Sequence, residues 1–316
     1  MEQQRVTVIG GSGFIGRYVV ERLADQGAVV TVAVRDVEQA KFLRPLGQVG
    51  QVTPVAVNVR NTNAVARAIE GADAVINLVG ILYKTGRQTF QTLHTEVPGA
   101  IGRVCSDQGI ARVVHVSAIG AHASAWSEYQ RTKGAGEAKL RENYPEATIM
   151  RPSIVFGPED GFFNMFGMLA RYLPVLPLYG GGKTRFQPVY VGDVAAAIVN
   201  ALTDANAVGK TYELGGPAVY TYAELMELIL QHTGRNRLLL PVPFFIGEIQ
   251  GMFLGMLPRK LLTRDQILSL KTDSVVGESA LTLADLGVQP TALEAILPTY
   301  LSRHRRGGRL GRAPAG

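Results

Sequence analysis

The chain has 316 residues, of which 47% are hydrophobic and 18% charged, so it can fill a sizeable core and is not an intrinsically disordered protein. A single cysteine, Cys105, excludes an intramolecular disulfide, and no apolar run approaches the ~20 residues that a membrane-spanning helix needs. Five of the six net positive charges come from arginines at position 303 and beyond, with no interleaved aromatic residues, so we expect no nucleic-acid partner.

The first predicted elements are a strand, a glycine-rich turn and a helix within residues 5–17. Glycines three residues apart allow a tight turn, a close approach of the backbone to a pyrophosphate, and packing of helix on strand. The first N–H groups of the helix attract the same anion. The stretch predicts a dinucleotide-binding turn formed by Gly10, Gly13, Phe14, Ile15, Gly16 and Arg17.

The second strand, residues 28–34, ends at Arg35-Asp36. At this point of a dinucleotide fold an acid would hold the 2′-hydroxyl of the adenosine ribose, whereas an arginine suits a 2′-phosphate because guanidinium binds phosphate in a bidentate manner. Arg35 comes first and Arg17 could reach the same place, so we expect NADPH rather than NADH. Asp36 is the competing residue, and Arg35 could instead be a solvated charge at the end of a strand.

Four more strands are predicted at residues 52–57, 73–80, 112–117 and 147–152, separated by helices at 61–70, 89–108 and 126–143. A further helix is expected between Arg35 and Leu43. This alternation predicts an α/β fold with a Rossmann-type, doubly wound parallel sheet. Residues that follow the strands are assigned to the cofactor site, and they are Asn58, Val59, Leu78, Val79, Gly80, Pro152, Ser153 and Ile154.

Tyr129 and Lys133 lie four residues apart on one face of the helix at 126–143. In a nucleotide cleft the lysine can hold ribose hydroxyls and lower the pKa of the tyrosine, which then exchanges a proton while a hydride moves. Ser117, at the end of the fifth strand, could bind a substrate oxygen. These three residues are the candidate catalytic set, and all three are also assigned to the cofactor.

The regular alternation ends near Pro152, so residues 1–157 are predicted to form the dinucleotide-binding domain, to which the chain returns around 187–215. Residues 158–302 should form a smaller, mainly helical lobe. Three capping boxes, at Thr221, Thr263 and Thr291, predict three of its helices, and Asp193 is expected to cap another. Histidines 94, 115 and 122 lack metal-ligand spacing, so no metal is assigned.

Residues 241–262 are rich in Phe and Met, with only Glu248 and Gln250 interrupting the apolar surface over most of the stretch. The stretch is too short to span a bilayer but long enough for a docking or interfacial helix. Packing in the core of the smaller lobe explains it equally well.

The last residues, 303–316, combine arginines with Gly and Pro and predict a flexible basic tail that contacts anionic lipid head groups or is merely solvated. Because the first strand begins within a few residues of Met1, we expect no signal or transit peptide. The protein is expected to be soluble, or peripheral to a membrane.

The glycine turn, Ser117, Tyr129 and Lys133 together resemble the short-chain dehydrogenase/reductase superfamily, in its extended and atypical members. Six segments are more specific, namely Gly13–Val20, Leu43–Gly47, Val75–Gly80, Tyr129–Glu137, Gln187–Val194 and Asp285–Pro290. They resemble the alpha-subcomplex subunit nine family, the NADPH-binding accessory subunit of respiratory complex I, in its bacterial form. That resemblance implies a tightly held NADPH with a structural or regulatory role and partners in the peripheral arm of complex I.

Two functions follow from the sequence. In the first, the protein is an accessory or assembly subunit of complex I, and Ser117, Tyr129 and Lys133 are vestigial. In the second, it is a free NADP-dependent reductase or a sugar-nucleotide epimerase/dehydratase. Extended reductases usually carry an asparagine where this chain has Leu93-His94-Thr95, which weakens a proton relay and favours the first function.

Overall fold

A computed structural model describes residues 3–257, 262–305 and 308. The strands of these residues are β1 (Arg5–Ile9), β2 (Val29–Val34), β3 (Val52–Ala56), β4 (Ala74–Asn77), β5 (Arg112–Val116), β6 (Thr148–Pro152), β7 (Val155–Phe156), β8 (Val175–Tyr179), β9 (Arg185–Phe186), β10 (Val189–Tyr190), β11 (Thr211–Leu214), β12 (Tyr220–Thr221) and β13 (Leu238–Val242). The α-helices are α1 (Phe14–Asp25), α2 (Thr62–Ile69), α3 (Val97–Asp107), α4 (Glu128–Asn143), α5 (Phe162–Tyr172), α6 (Val191–Thr203), α7 (Tyr222–Thr233), α8 (Phe244–Leu254), α9 (Arg264–Ser269) and α10 (Leu293–Leu301). Short helical turns of other types complete the described chain.

Seven parallel strands form the main sheet, in the order β11-β6-β5-β4-β1-β2-β3. From β1 the chain winds outward through β2 to β3, and from β4 it winds the other way. The order therefore reverses between β1 and β4, where the carboxyl ends of the strands open the crevice in which doubly wound sheets bind ligands. The predicted α/β class and the doubly wound parallel sheet are confirmed.

The described chain divides into two compact units. The first comprises residues 3–152, 192–214 and 278–289 and contains the whole main sheet. The second comprises residues 153–191, 215–277 and the described residues from 290 onward. The first segment of this unit ends at Pro152, five residues before the predicted position 157. The chain comes back to the unit at residues 192–214 and again at 278–289, whereas the sequence predicted one return, around 187–215.

The first unit is built on strands whose side chains are buried on both faces. Val6, Val8, Val30 and Ile76 in β1, β2 and β4 are almost fully buried, as expected of a parallel sheet covered by helices. Helix α3 contributes Ile101 and α4 contributes Leu140 to a core that also contains Ile9 of β1 and Val75 of β4. This packing fixes the carboxyl ends of the strands, where the predicted site residues lie.

The second unit has a core of its own, rich in aromatic side chains from α5 and α7. Phe163, Phe166 and Tyr222 pack in it, and the strand pair β8–β13 lies beside them. Helices α7 and α9 each start with a capping box, at Thr221–Glu224 and Thr263–Gln266, as predicted. No helix among the described residues is long and apolar enough to cross a membrane.

Several local predictions are wrong. Residues 37–40 form a turn and Lys41–Leu46 a 3₁₀-helix containing Pro45, in place of the helix expected up to Leu43. Asp193 lies inside the first turn of α6 and does not precede it. Helix α10 begins after Ala292 without a side-chain cap, and the Glu294 carboxylate instead accepts a 2.5 Å hydrogen bond from the Tyr220 hydroxyl.

The predicted flexible tail is also wrong at its beginning. The Arg303 guanidinium donates hydrogen bonds to Asn164 and to the Pro158 carbonyl, and Arg305 Nε donates to the His232 carbonyl at 2.8 Å. Both side chains are therefore bound to other elements of the second unit. Residues 306–307 and 309–316 lie outside the described residues.

Candidate functional site

The glycines of the first turn have different tasks. Gly10 has φ +85°, and a Cβ there would lie 3.3 Å from the Leu78 carbonyl carbon, so only glycine fits the turn between β1 and α1 where it passes the end of β4. A Cβ on Gly16 would lie 2.5 Å from Gly11 Cα, so α1 packs directly on the backbone of the turn. Gly13 is exposed, and its Cβ would meet only the Gly10 carbonyl oxygen, at 3.3 Å. Gly13 is therefore the glycine whose missing side chain leaves space for a ligand.

The first turn of α1 is arranged to receive an anion. Its N-cap is Gly13, whose lack of a side chain leaves the first N–H groups uncapped, and no acidic residue lies in the first turn. Phe14 and Ile15 are half-buried beside it. An uncapped helix end next to an open glycine fits the pyrophosphate of a dinucleotide.

Two buried polar side chains hold the end of β4 in place. Asn77 Oδ1 accepts a hydrogen bond from the Val79 N–H at 3.1 Å, so its amide nitrogen faces His115 Nδ1, 3.0 Å away. His115 Nδ1 is then an acceptor, and the proton sits on Nε2. Burial, with the charge of Lys133 nearby, lowers the pKa of His115 well below its usual range, so the imidazole is neutral. This pair fixes the backbone of Leu78, Val79 and Gly80.

Lys133 on α4 places its ammonium at the sheet edge. Its Nζ donates to the Val116 carbonyl at 2.9 Å, and a Cβ on Gly80 would lie 3.4 Å from the same nitrogen. Burial lowers the pKa of Lys133 to about 8, although Glu137 acts in the opposite direction. A side chain at position 80 would contact this ammonium, so glycine keeps the edge open. An ammonium at this edge can hold ribose hydroxyls.

Glu137 is held by a partner of its own. Arg151 on β6 binds it in a bidentate manner, with N–O distances of 2.9 and 2.6 Å, and also lies 3.7 Å from Glu213 on β11. Glu137 raises the pKa of Arg151, chiefly through these hydrogen bonds. The pair ties α4 to the sheet and keeps the Tyr129–Lys133 face of the helix in position.

His94, at the position of the expected asparagine, has both ring nitrogens engaged. Nε2 accepts a hydrogen bond from the Ile81 N–H at 3.0 Å, so the proton lies on Nδ1, which faces Thr132 Oγ1 at 3.2 Å. The Thr132 hydroxyl in turn donates to the Glu128 carbonyl at 2.8 Å. Burial, followed by the charge of Lys133, lowers the pKa of His94 to about 3. His94 is a neutral residue that joins the loop after β4 to α4.

The ring of Tyr129 lies against this histidine. It meets His94 edge-on, with 5.2 Å between ring centroids, and Phe90 edge-on at 6.0 Å. Phe90 and His94 stack on each other at 5.2 Å. These residues belong to or adjoin a π-helical segment, Gln91–Glu96, which is a rare geometry often found at functional sites.

The π-helical segment also presses on α4. A Cβ on Gly136 would overlap the His94 carbonyl oxygen, so only glycine allows this approach. Thr95 Oγ1 donates to the Thr132 carbonyl at 3.0 Å and closes the contact. The face of α4 that carries Tyr129 and Lys133 is thus held by backbone contacts, independently of any ligand.

Ser117 follows β5 at the same edge. Its backbone N–H donates to the Met150 carbonyl at 2.7 Å, whereas its hydroxyl is buried and has no hydrogen-bond partner among the described residues. His115 Nε2 is in the same situation. Buried polar atoms are normally paired, so two unpaired ones at the end of β5 fit a site completed by a polar ligand.

The end of β2 separates Arg35 from Asp36. The Asp36 carboxylate accepts hydrogen bonds from the N–H groups of Glu38 and Gln39, at 2.9 and 3.3 Å, and from the Gln39 side chain. Arg35 is exposed. The Arg17 guanidinium lies over the Phe42 ring, 5.0 Å from its centroid. Arg35 and Asp36 are both exposed, but the Asp36 carboxylate is engaged by hydrogen bonds within its own turn.

The remaining predicted cofactor residues fall into both units. Asn58 is exposed after β3 and accepts from the Arg60 N–H at 3.2 Å, and Val59 beside it is half-buried. Pro152 ends β6. Ser153 and Ile154 belong to the second unit, where Ser153 Oγ donates to the Ser274 carbonyl at 2.6 Å and Ile154 packs on that unit's core. Their assignment to the cofactor stays a prediction.

Sequence reasoning gave no role to Asn77, His115, His94 or Thr132. A polar residue inside an otherwise apolar buried strand is a usable signal, and both Asn77 and His115 are of this kind. His94 gave a weaker signal, as a departure from an expected pattern. Its partners Ile81 and Thr132 lie 13 and 38 residues away, so only the fold identifies them.

The model of the NAD dependent epimerase/dehydratase family matches residues 6–215. The chain is 37% identical over 314 residues to NADH dehydrogenase [ubiquinone] 1 alpha subcomplex subunit 9, mitochondrial, of Arabidopsis thaliana, with 96% of this chain and 78% of that protein covered. The protein of the same name from Mus musculus is 37% identical over 301 residues, covering 95% and 80%. The dTDP-glucose 4,6-dehydratase DesIV of Streptomyces venezuelae, solved with NAD and TYD bound, has a similar fold, with a TM-score of 0.72 and 21% identity over 96% of this chain and 98% of that one.

Proposed function

Because the chain belongs to the NAD dependent epimerase/dehydratase family, and within it to the family of complex I alpha subcomplex subunit 9, we propose that it is an NADPH-binding accessory subunit of respiratory complex I, in the bacterial form of that family. In this role the dinucleotide is held rather than turned over. When bound, NADPH offers a hydride at its nicotinamide ring.

The residues present fit a nicotinamide dinucleotide. The open position of Gly13 and the uncapped start of α1 suit the pyrophosphate, and the Lys133 ammonium suits ribose hydroxyls. The unpaired hydroxyl of Ser117 supports a polar group of the ligand at the end of β5.

The preference for NADPH is supported by the end of β2. The Asp36 carboxylate already accepts hydrogen bonds from the N–H groups of Glu38 and Gln39, which makes it a poorer partner for a ribose 2′-hydroxyl. Arg35 is exposed at the same strand end and can bind a 2′-phosphate.

The observation that carries the structural role of the cofactor is the engagement of His94. A proton exchanged at Tyr129 needs a route through polar groups that can both give and take it. His94 lies against the Tyr129 ring, but its nitrogens are committed to Ile81 and Thr132 and its pKa is too low for it to become charged. We therefore infer that His94 does not relay protons to or from Tyr129.

A free NADP-dependent reductase or epimerase is the second candidate. It is favoured by the intact set of Ser117, Tyr129 and Lys133 and by the lowered pKa of Lys133. A binding site and a catalytic site would both show these features. They therefore support a reductase less strongly than the family and the engaged His94 support an accessory subunit.

The proposed place is the peripheral arm of complex I, at the cytoplasmic face of the inner membrane. The relatives named as complex I subunits support association with that complex. The basic residues at the end of the chain are proposed to face lipid head groups there.

Two variants test the role of the cofactor. Tyr129→Phe should keep NADPH binding and recovery in membrane-bound complex I, because the phenol serves only turnover. Lys133→Met should lose most of the increase in melting temperature that NADPH gives the wild type, since the ammonium binds the ribose whether or not chemistry follows.

The control is the wild-type protein assayed for NADPH oxidation against small carbonyl compounds. Oxidation that disappears in Tyr129→Phe would establish the reductase instead. Absence of respiratory subunits from a native purification of the wild type would contradict the accessory role.

A further inference from the structure

Helix α8, Phe244–Leu254, is oriented with its small residues inward. Gly247 and Gly251 are its buried residues. A Cβ on Gly247 would lie 2.6 Å from Tyr179 Cδ1, and one on Gly251 would lie 2.6 Å from the Arg264 nitrogen. A surface helix normally buries its large apolar side chains, so this orientation is the reverse of the usual one.

Most large side chains of α8, and those of Met256 and Leu257 after it, point to solvent, whereas Phe244 packs on the core of the second unit. Phe245 is 64% exposed and Phe253 69% exposed. The same holds for their neighbours, and we call the whole set the outer apolar face, formed by Leu238, Leu240, Phe245, Ile246, Ile249, Met252, Phe253, Met256 and Leu257. Contiguous exposed apolar residues of this size mark a binding surface and are unusual on an isolated protein.

The outer apolar face carries no exposed charge of its own. The one ionisable residue of α8, Glu248, is mostly buried and bound by Arg264 at 3.1 Å and by Lys271 at 2.8 Å. Gln250 accepts a hydrogen bond from the Tyr179 hydroxyl at 3.0 Å. The Glu248 carboxylate is thus paired within the second unit, and Gln250 is the exposed polar residue of an otherwise apolar outer side of the helix.

Three arginines of the same unit lie close to one another in the chain fold, Arg171 near the end of α5 and Arg235 and Arg237 just before β13. Arg237 Nε donates to the Ala170 carbonyl at 2.8 Å, and Arg235 Nε donates to the His304 carbonyl at 3.1 Å. Arg171 lies over the exposed ring of Tyr172, 5.7 Å from its centroid. Burial, together with Arg303, Arg171 and Arg235, lowers the pKa of His304, which shows how positive this region is.

We propose that the outer apolar face docks on a lipid bilayer with anionic head groups, with α8 lying in the plane of the interface and the arginines along α5 binding the head groups. An 11-residue helix is about 16 Å long, too short to cross the hydrocarbon core but suited to lie along it. Phenylalanine and methionine side chains enter the acyl boundary, and the tyrosine and arginines lie at head-group level.

A bilayer suits this face better than a protein partner. A protein interface pairs polar groups at its rim with complementary ones, whereas α8 contributes only two polar side chains, Glu248 and Gln250, and Glu248 is already paired with Arg264 and Lys271. Stable interfacial binding takes two signals, buried apolar area and attraction to anionic lipids, and both are present in the second unit. This surface is distinct from the nucleotide site, so the inference goes beyond the proposed function.

The test is flotation of the purified full chain with two kinds of vesicle, phosphatidylcholine alone and phosphatidylcholine mixed with phosphatidylglycerol. The wild type should float with the mixed vesicles and more weakly with the neutral ones. Phe245→Ser and Phe253→Ser should each lower the partition coefficient roughly tenfold, because each removes one large side chain from the acyl region. Arg171→Gln should lower binding to the mixed vesicles only.

The matched control is Trp126→Ser, which removes an equally exposed aromatic residue, 63% exposed, from the first unit. It should float like the wild type. Retention of the NADPH-induced rise in melting temperature shows that each variant is folded, and that readout also tests the nucleotide site separately.

Two results would overturn the proposal. One is a wild type that floats with neither vesicle, or serine variants that float as well as the wild type. The other is a wild-type dimer in solution that becomes monomeric in Phe253→Ser without vesicle binding, which would make this face an interface between copies.

Discussion

The buried ammonium of Lys133 donates a hydrogen bond to the carbonyl oxygen of Val116, the last residue of β5, at 2.9 Å. This bond ties α4 to the sheet at the edge where Gly80 and Ser117 also lie. A charge taken out of water costs free energy unless it is compensated, and a single main-chain carbonyl compensates it only in part. The stability of the protein should therefore depend on the ionisation of this lysine.

We expect the contribution of Lys133 to stability to increase at alkaline pH. Its pKa falls from 10.5 in the unfolded chain to about 8 in the fold, so between these values the unfolded state holds more protons. The free energy of unfolding of the wild type, minus that of Lys133→Met, should rise by up to about 3 kcal/mol from pH 8 to 10.5. Urea unfolding without nucleotide measures it, and the same substitution at exposed Lys139 on α4 is the control. A flat difference would show that the ammonium is better solvated than its burial indicates.

At acid pH, protonation of His94 should lower the stability of the protein. Its pKa is lowered from 6.5 to about 3, so the fold requires the neutral ring, and stability is lost as pH falls below 6.5 towards 3. The slope for this one group approaches about 1.4 kcal/mol per pH unit. In His94→Asn the slope of the free energy of unfolding against pH should be shallower by this amount. His122→Asn, at an exposed histidine, should match the wild type. Equal slopes in all three proteins would mean that His94 is charged in the fold.

The glycines of the first turn should separate binding from folding. Gly13→Val places its side chain in open space beside α1, so the protein should fold but lose NADPH through gel filtration. Gly16→Val would push into the Gly11 backbone and should reduce the yield of folded protein. Circular dichroism and bound-nucleotide absorbance report the two effects. If Gly13→Val retains the nucleotide, the pyrophosphate lies elsewhere.

Cofactor preference should reside in Arg35. The wild type should bind NADPH more tightly than NADH, and Arg35→Ala should lose about 1.5–3 kcal/mol of binding free energy for NADPH with little change for NADH. Titrations of both nucleotides by calorimetry give the ratio. Arg60→Ala, at another exposed arginine that follows a strand of the same sheet, should keep it. An unchanged ratio in Arg35→Ala would move the 2′-phosphate to another cation.

The sequence predicted the elements whose signals are local. Strands such as β1 and β2 are nearly continuous apolar runs that only a sheet buried on both faces accommodates. The boxes at Thr221 and Thr263 formed because both partners lie within one helical turn. At the third predicted box, α10 takes Ala292 as its N-cap, and Glu294 accepts a hydrogen bond from Tyr220, 74 residues away.

The orientation of α8 was open at the sequence level for a physical reason. The helix is apolar nearly all round, so no periodic pattern distinguishes an inner from an outer side. Tyr179 and the backbone at Arg264 approach so closely that only Gly247 and Gly251 fit against them. Steric exclusion by distant residues, and not hydrophobicity, turned Phe245 and Phe253 outward.

By itself the sequence determined the doubly wound sheet, the glycine turn and the Tyr129–Lys133 helix face, because apolar periodicity and glycine spacing act between near neighbours. The tertiary structure alone decided which polar groups are engaged and which are open. His94 became a neutral link because Ile81 and Thr132 surround it, and Ser117 kept an unpaired hydroxyl because no neighbour reaches it among the described residues. Hydrogen bonds and burial between residues far apart in the chain set these properties, and no local pattern encodes them.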